Sequence, residues 1–177
     1  MSSASYPSDL AATWMGPDGT RVAIRPIRPE DTDIERAFVK ALTPETRYRR
    51  FMTTLNELSP AMLAHFTQVD YARDMALIAV VDENGRETQV AVARYVLAPD
   101  GESCEFAIVV AEPWQKRGLG RYLMEHLIEI ARARGVKRMT GEILPANAEM
   151  LDMAHRLGFA AEDAPGTPGV RRVSLEL

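Results

Sequence analysis

Cysteine is almost missing from this chain of 177 residues, with Cys104 the only one. No internal disulfide can form, and a thiolate-rich metal cage is excluded with it. His65, His126 and His155 lie far apart and lack a His, Cys or carboxylate partner at ligand spacing, so no metal is expected. No apolar run approaches the ~20 residues of a bilayer span. Residues 1–6 have neither the charged start nor the apolar centre of a signal peptide, and the expectation is a cytoplasmic protein with no membrane partner. Charge of one sign is lacking as well. With 21 basic and 25 acidic residues the net charge is −4, which gives no global pull toward nucleic acid. There is no internal repeat, and low complexity is confined to the Ser- and Ala-rich residues 1–12, expected to be disordered ahead of a single domain over 13–177.

What is present suits that single domain, since 46% hydrophobic content in a chain of this length can bury one sizeable core. Gly16-Pro17-Asp18-Gly19 marks a turn between two short extended stretches. Pro29-Glu30-Asp31, Thr43-Pro44-Glu45 and Ser59-Pro60 each read as a helix entry, the first followed by Ile34, Phe38 and Leu42 at helical spacing. Asp82-Glu83-Asn84-Gly85 and Asp100-Gly101 then divide three apolar stretches into an antiparallel meander. A helix over 119–134 presents Leu123, Met124, Leu127, Ile128 and Ala131 on one face, and Gly135 stops it. A strand over 138–144, a helix over 147–157 capped by Asn147, and two closing strands complete an α/β chain with a mixed sheet. The 119–134 helix serves as crossover between parallel strands at 104–110 and 138–144.

Between the strand at 104–110 and that helix lies Gln115-Lys116-Arg117-Gly118-Leu119-Gly120. A glycine-bearing turn from strand to helix leaves backbone N–H groups unpaired at the helix N-terminus, with the positive end of the helix dipole behind them. Lys116, Arg117 and Arg121 stand around it, and the natural guest is a phosphate or pyrophosphate. The Gly-Lys-Ser/Thr of a Walker loop is missing, and so is the third glycine of a dinucleotide fingerprint, because Leu123 follows Gly118 and Gly120. Residues 116–138 hold seven Lys and Arg against Glu125 and Glu129, a local basic surplus that serves equally as a solvated helix face or as an anion lure.

On the preceding strand, alternation places Cys104, Phe106, Ile108 and Val110 on one face and Glu105, Ala107 and Val109 on the other. Glu105 is a carboxylate amid apolar neighbours on the strand that feeds the anion loop. Taken alone, it reads first as a solvent-facing carboxylate on the polar side of a strand.

The pattern Gln115-x-x-Gly118-x-Gly120 at the head of a helix, with Asn147 and Leu157-Gly158-Phe159 later, resembles the GCN5-related N-acetyltransferases, GNAT for short. The resemblance covers roughly residues 21–177. Within that superfamily the chain is similar to the lysine acetyltransferases that modify acyl-CoA synthetases, through Arg25-Pro26-Ile27-Arg28-Pro29-Glu30-Asp31, Thr43-Pro44-Glu45-Thr46-Arg47-Tyr48-Arg49-Arg50-Phe51 and Cys104-Glu105-Phe106-Ala107-Ile108-Val109-Val110 before Trp114-Gln115. The resemblance implies a GNAT fold, with a mixed central sheet of about seven strands flanked by about four to five helices. It implies acetyl-CoA as co-substrate and Glu105 as the catalytic base. The coenzyme would be held by Ile108, Val109 and Val110 on the strand, Gln115, Lys116, Arg117, Gly118, Leu119, Gly120 and Arg121 in the loop and helix start, and Asn147 beyond. The partner it implies is a protein with a reactive lysine, such as an acyl-CoA synthetase. A backbone N–H near Val109 or Val110 would meet the oxyanion.

One departure, one alternative mechanism and two rivals accompany that reading. Many members carry a tyrosine general acid four residues before the Gly-Phe pair, where this chain has Ala154, and His155 lies about 100° further round the helix. Cys104 would permit an acetyl-cysteine intermediate, but its parity sets it on the face opposite Glu105. The rivals are a small-molecule amine acetyltransferase and a non-catalytic acyl-CoA-binding module. For any amine acceptor, a lysine at pKa ~10.4 and a glutamate at ~4.3 stand about six units apart, or roughly 8 kcal/mol, so Glu105 has to be raised or helped by water to act as base.

Overall fold

A computed structural model describes residues 4–177. In order, the elements are β1 (Ala12–Met15), β2 (Arg21–Pro26), α1 (Thr32–Ala41), α2 (Pro44–Phe51), α3 (Pro60–Thr67), β3 (Met75–Glu83), β4 (Arg86–Leu97), β5 (Ser103–Val110), α4 (Leu119–Ala133), β6 (Arg138–Ile143), α5 (Ala148–Arg156), β7 (Ala160–Asp163) and β8 (Arg171–Glu176). The strands form one sheet in the order β1-β2-β3-β4-β5-β6-β8-β7, eight rather than the expected seven.

Local chemistry explains the turns and helix starts. Asn84 and Gly85 form the two-residue turn of the β3–β4 hairpin, both at positive φ (56° and 81°), and the Asp82 carboxylate accepts the Gly85 N–H at 2.7 Å. Thr43 and Ser59 cap α2 and α3 by accepting the N–H of Thr46 and Met62, and proline follows each cap where its missing N–H costs nothing. Asp31 gathers the Arg25-to-Asp31 segment, accepting both Nη atoms of Arg25 at 2.7 and 2.8 Å and the Arg28 N–H at 2.7 Å. Arg47, buried, turns its guanidinium back onto the last carbonyls of α1 and donates to Lys40 at 3.1 Å, where the helix dipole favours a cation.

The antiparallel run is longer than the three-strand meander read from the turns. β2 pairs with β3 across the three-helix excursion, so β1 to β5 form one continuous antiparallel sheet. The chain end also departs from strict sequence order, because β8 inserts between β6 and β7. Two apolar layers sandwich the sheet. On one face α4 buries Leu119, Leu123, Met124 and Leu127 completely, each worth roughly 1.5–3 kcal/mol of apolar burial. On the other, α1 and α3 bring Phe38, Val39 and Leu63 onto Ile78, Val80 and Val92. That second layer stops near β5. Beyond it, Glu105, Thr140, Glu142, Arg172 and Ser174 share a face of the sheet that is exposed or half-buried.

Residues 4–12, expected from composition to be disordered, carry defined contacts. Ser8–Leu10 is a 3-10 turn, Tyr6 Oη donates to the Pro26 carbonyl at 2.6 Å, and the Leu10 carbonyl lies 3.0 Å from His126 Nε2. The remainder of that expectation, residues 1–3, lies outside the described residues.

Candidate active site

Among the described residues, strands β5 and β6 form the only parallel pair of the sheet, and the pairing is short. It runs over Ser103, Cys104 and Glu105 against Arg138, Met139 and Thr140 and then stops. Past Glu105 the two strands diverge, and the N-terminal ends of α4 and α5 flank the opening. β4 contributes a bulge at the same level. Ala79 pairs with Ala91 and Val80 with Gln89, leaving Val90 extra, and the Val90 carbonyl accepts the Ala111 N–H at 2.9 Å just past the end of β5.

The loop entering α4 has the expected character. Lys116 and Gly118 adopt left-handed conformations, with φ of 61° and 94°. Gly118 is the N-cap and offers no side chain, and the first bond of the helix runs from the Tyr122 N–H to the Gly118 carbonyl at 3.1 Å. The N–H groups of Leu119, Gly120 and Arg121 therefore take no part in the helix ladder and face its mouth with the dipole behind them. The reason for glycine differs from steric obstruction. A Cβ on Gly118 would meet nothing within 4 Å, so that position calls for glycine because of its φ. A Cβ on Gly120 would touch Val110 at 3.5 Å and Met153 at 3.8 Å, in ordinary contact at the cavity wall.

A cavity of about 400 Å³ fills the gap, lined by Ile108, Val109 and Val110 of β5, by Gln115, Lys116, Gly118, Gly120 and Arg121 of the loop and α4, and by Asn147. Nine of the eleven expected coenzyme residues thus share one wall. The other two do not line it. Leu119 sends its side chain into the core, fully buried, and Arg117 lies over the Trp114 ring at 5.1 Å with its guanidinium 3.7 Å from Asp18. Gln115 and Asn147 already have structural duties. The Gln115 amide donates to the Val110 carbonyl at 2.9 Å, and Asn147 Oδ1 caps α5 by accepting the Met150 N–H at 3.4 Å. Lys116 and Arg121 are paired with Glu149 at 3.2 Å and Glu125 at 2.9 Å, so the cations available to an anion are partly neutralised. Reading the sequence missed Arg49, Arg50 and Arg156, which also line the cavity. Arg49 and Arg50 form a basic run at the end of α2, and Arg156 closes α5.

At the inner end a second cavity of about 160 Å³ shares Arg49, Arg50, Ile108, Asn147 and Met150 with the first. Glu105 lines it, together with Glu142 of β6. The Glu105 carboxyl is pushed above its ordinary range by partial burial and then by the charge of Glu142, against the opposing pull of Arg172 and Arg50. Cys104 points the other way, buried, with its thiol pushed up to about 12 by desolvation. Ala154 is buried and His155 exposed, so no acid side chain of α5 stands where the missing tyrosine would be. Among the described residues no group of three His, Cys, Asp or Glu is placed to hold a metal ion, and no helix is long and apolar enough to cross a membrane.

A mixed sheet opened at its one parallel pair, with a helix N-terminus set in the opening, defines the GNAT class of N-acetyltransferases, enzymes that take acetyl-CoA as co-substrate. The model of the acetyltransferase (GNAT) family matches residues 38–159, and the chain belongs to that family. It is 38% identical over 160 residues to acetyltransferase PA5475 of Pseudomonas aeruginosa, covering 89% of this chain and 86% of that one. It is 32% identical over 136 residues to acetyltransferase Pat of Mycolicibacterium smegmatis, spanning 76% of this chain and 40% of the relative's length. The GNAT domain of S. lividans PAT superimposes with a TM-score of 0.87 at 28% identity, covering 98% of this chain and all of that one.

Proposed function

We propose that this chain transfers the acetyl group of acetyl-CoA to a lysine side-chain amine of a protein, an acyl-CoA synthetase being the acceptor class its sequence resemblance implies. The observation that carries the reading is the junction of the two cavities. An anion-accepting helix mouth lies at one end and a carboxylate with a raised pKa at the other, and the shared wall includes the strand that diverges from its neighbour. The diphosphate of the coenzyme suits the N–H groups of Leu119, Gly120 and Arg121. The acyl arm then runs along Ile108 to Val110 toward Glu105, which would serve as base within one continuous domain.

The chemistry follows from these placements. Glu105, directly or through one water, takes a proton from the acceptor ammonium, and the neutral amine attacks the thioester carbonyl carbon. The C–N bond forms, the oxyanion is met by a backbone N–H near Val109 or Val110, and the C–S bond breaks. The amine's second proton goes to the departing thiolate, giving an amide and free coenzyme A thiol. With a pKa near 8.5 that thiolate needs no dedicated acid at neutral pH, which accords with Ala154 in place of a tyrosine. The raised pKa of Glu105 narrows the gap to the amine, so its burial and its carboxylate neighbour serve the chemistry.

The test is thiol release from acetyl-CoA with a panel of acyl-CoA synthetases, read by lysine-resolved mass spectrometry. We expect one modified lysine in at least one acceptor, and Glu105→Gln to lower turnover at least ~100-fold with acetyl-CoA affinity within a few-fold of the parent. Turnover on free amines without protein acetylation would replace the acceptor class. Full activity of Glu105→Gln would remove the base.

A further inference from the structure

Glu142 is the second carboxylate of the inner cavity, and nothing in the transfer steps above uses it. Its position follows from strand geometry. Glu105 stands in register with Thr140 across the parallel pair, and Glu142, two residues on, returns to the same face of the sheet. Both carboxylates line one space of about 160 Å³, room for a primary ammonium and a few waters. On its far side Glu142 is in register with Arg172 of β8, whose Nη2 lies 3.5 Å from Glu142 Oε1. The Nε of Arg172 is buried and bonded to nothing among the described residues.

We propose that Glu105 and Glu142 together form an ammonium-capture site, with Glu142 held in place by Arg172, so that the acceptor amine arrives in its cationic form beside the acyl group. The inference rests on the reading of the site as an amine acetyltransferase and deepens it, because it states what form of acceptor the inner cavity selects. Exposed Glu105 and half-buried Glu142 share one cavity and repel each other, and a cation placed between them relieves that repulsion. Glu142 then has a second effect. Once the ammonium's proton has moved to Glu105, the remaining charge on Glu142 favours the protonated form of Glu105, which is the same push that raises its pKa in the unliganded protein. Arg172 limits that push. The groups facing Glu105 are Glu142 from β6, Arg172 from β8, and Arg49 and Arg50 from α2. On β4 the neighbouring position is the apolar Val96, and the guanidinium of Arg94 is turned onto the Phe66 ring at 4.6 Å. Glu142 is therefore the only anion among the groups that act on Glu105, and Arg172 is the cation bound to it.

Carboxyl-carbon NMR of glutamate-labelled protein tests this without requiring turnover, with n-butylammonium as probe and n-pentanol as its neutral counterpart. Butylammonium should shift the Glu105 and Glu142 signals saturably, and pentanol should not. Glu142→Gln should weaken butylammonium about 3- to 10-fold, the yield of a half-buried ion pair, and should lower the titration midpoint of Glu105. Arg172→Gln should move that midpoint in the opposite direction, upward. Equal butylammonium affinity in the parent and Glu142→Gln, a Glu105 midpoint indifferent to both substitutions, or no shift at either carboxylate would each overturn the capture site. Glu105→Gln with undiminished turnover would instead strike the base assignment, and the binding results would stand apart from it.

Discussion

The two ends of the active cleft are built from different materials. At the proposed coenzyme end the groups are backbone: three helix N–H groups, a left-handed Gly118, and strand β5 where it parts from β6. They come from fewer than two dozen consecutive residues. At the proposed acceptor end the groups are side chains, Glu105, Glu142 and Arg172, drawn from three strands far apart in sequence and made neighbours only by sheet register. A backbone site tolerates changes of side chain so long as φ and ψ survive, whereas a side-chain site changes with each substitution. One acyl donor with variable acceptors suits that division.

The largest effect should follow from attacking the backbone end. Gly118→Glu places a Cβ residue at a φ of 94°, costing about 1–2 kcal/mol, and sets a carboxylate at the anion mouth. Calorimetry should show acetyl-CoA affinity reduced at least ~100-fold, while butylammonium still shifts the Glu105 and Glu142 signals. Micromolar acetyl-CoA affinity in this variant would contradict the loop assignment and with it the contrast between the ends.

A smaller effect should appear where the ends are joined. The Glu112 carboxylate, in the short turn after β5, accepts both the N–H of Thr43, at 2.9 Å, and its hydroxyl, and Thr43 is the cap of α2. This ties the helix carrying Arg49 and Arg50 to the start of the coenzyme loop. Glu112→Ala should lower stability by about 1–2 kcal/mol, a fall in melting temperature of roughly 2–8 °C, because it removes a charge-assisted acceptor from a helix cap. Acceptor kcat/KM should fall by more than acetyl-CoA affinity does. The reverse ranking would assign the tie to the coenzyme end.

The same division explains what the sequence made legible. The loop proposed for the coenzyme is legible as a turn into a helix because its determinants are local: Gln115 to Gly120 carries its own turn chemistry, and Asn84-Gly85, Thr43, Ser59 and Asn147 announce a hairpin and three helix starts. Strand parity alone separated Glu105 from Cys104. The acceptor end was half hidden. Glu142 and Arg172 look like ordinary surface charges until β8 is seen to insert between β6 and β7, and no local pattern specifies that insertion. The same holds for Arg94, whose guanidinium is buried 4.0 Å from Glu35, while Glu35 in turn accepts the Gln89 amide at 2.6 Å. A buried charge with distant partners has no signature in its own neighbourhood. The contacts of residues 4–12 are hidden for a related reason, since Tyr6 and Leu10 meet Pro26 and His126 far along the chain.

Cys104 supplies the smallest predicted effect and the sharpest check on direct transfer. It neighbours Glu105 in the chain yet belongs to the opposite layer, packed in the core beneath α4, with its thiol pushed up to about 12 by burial. A thiol held that high is almost wholly protonated at neutral pH, and the thiolate is the nucleophile that an acetyl-cysteine intermediate would require. Cys104→Ala should therefore leave turnover within about twofold of the parent and cost roughly 1 kcal/mol of stability through lost packing. In the folded parent protein, Ellman's reagent should react far more slowly than with the denatured chain. Loss of transfer in Cys104→Ala with stability intact, or a burst of acetylated Cys104 before acceptor is added, would move the chemistry to the α4 face and leave Glu105 without a role in it.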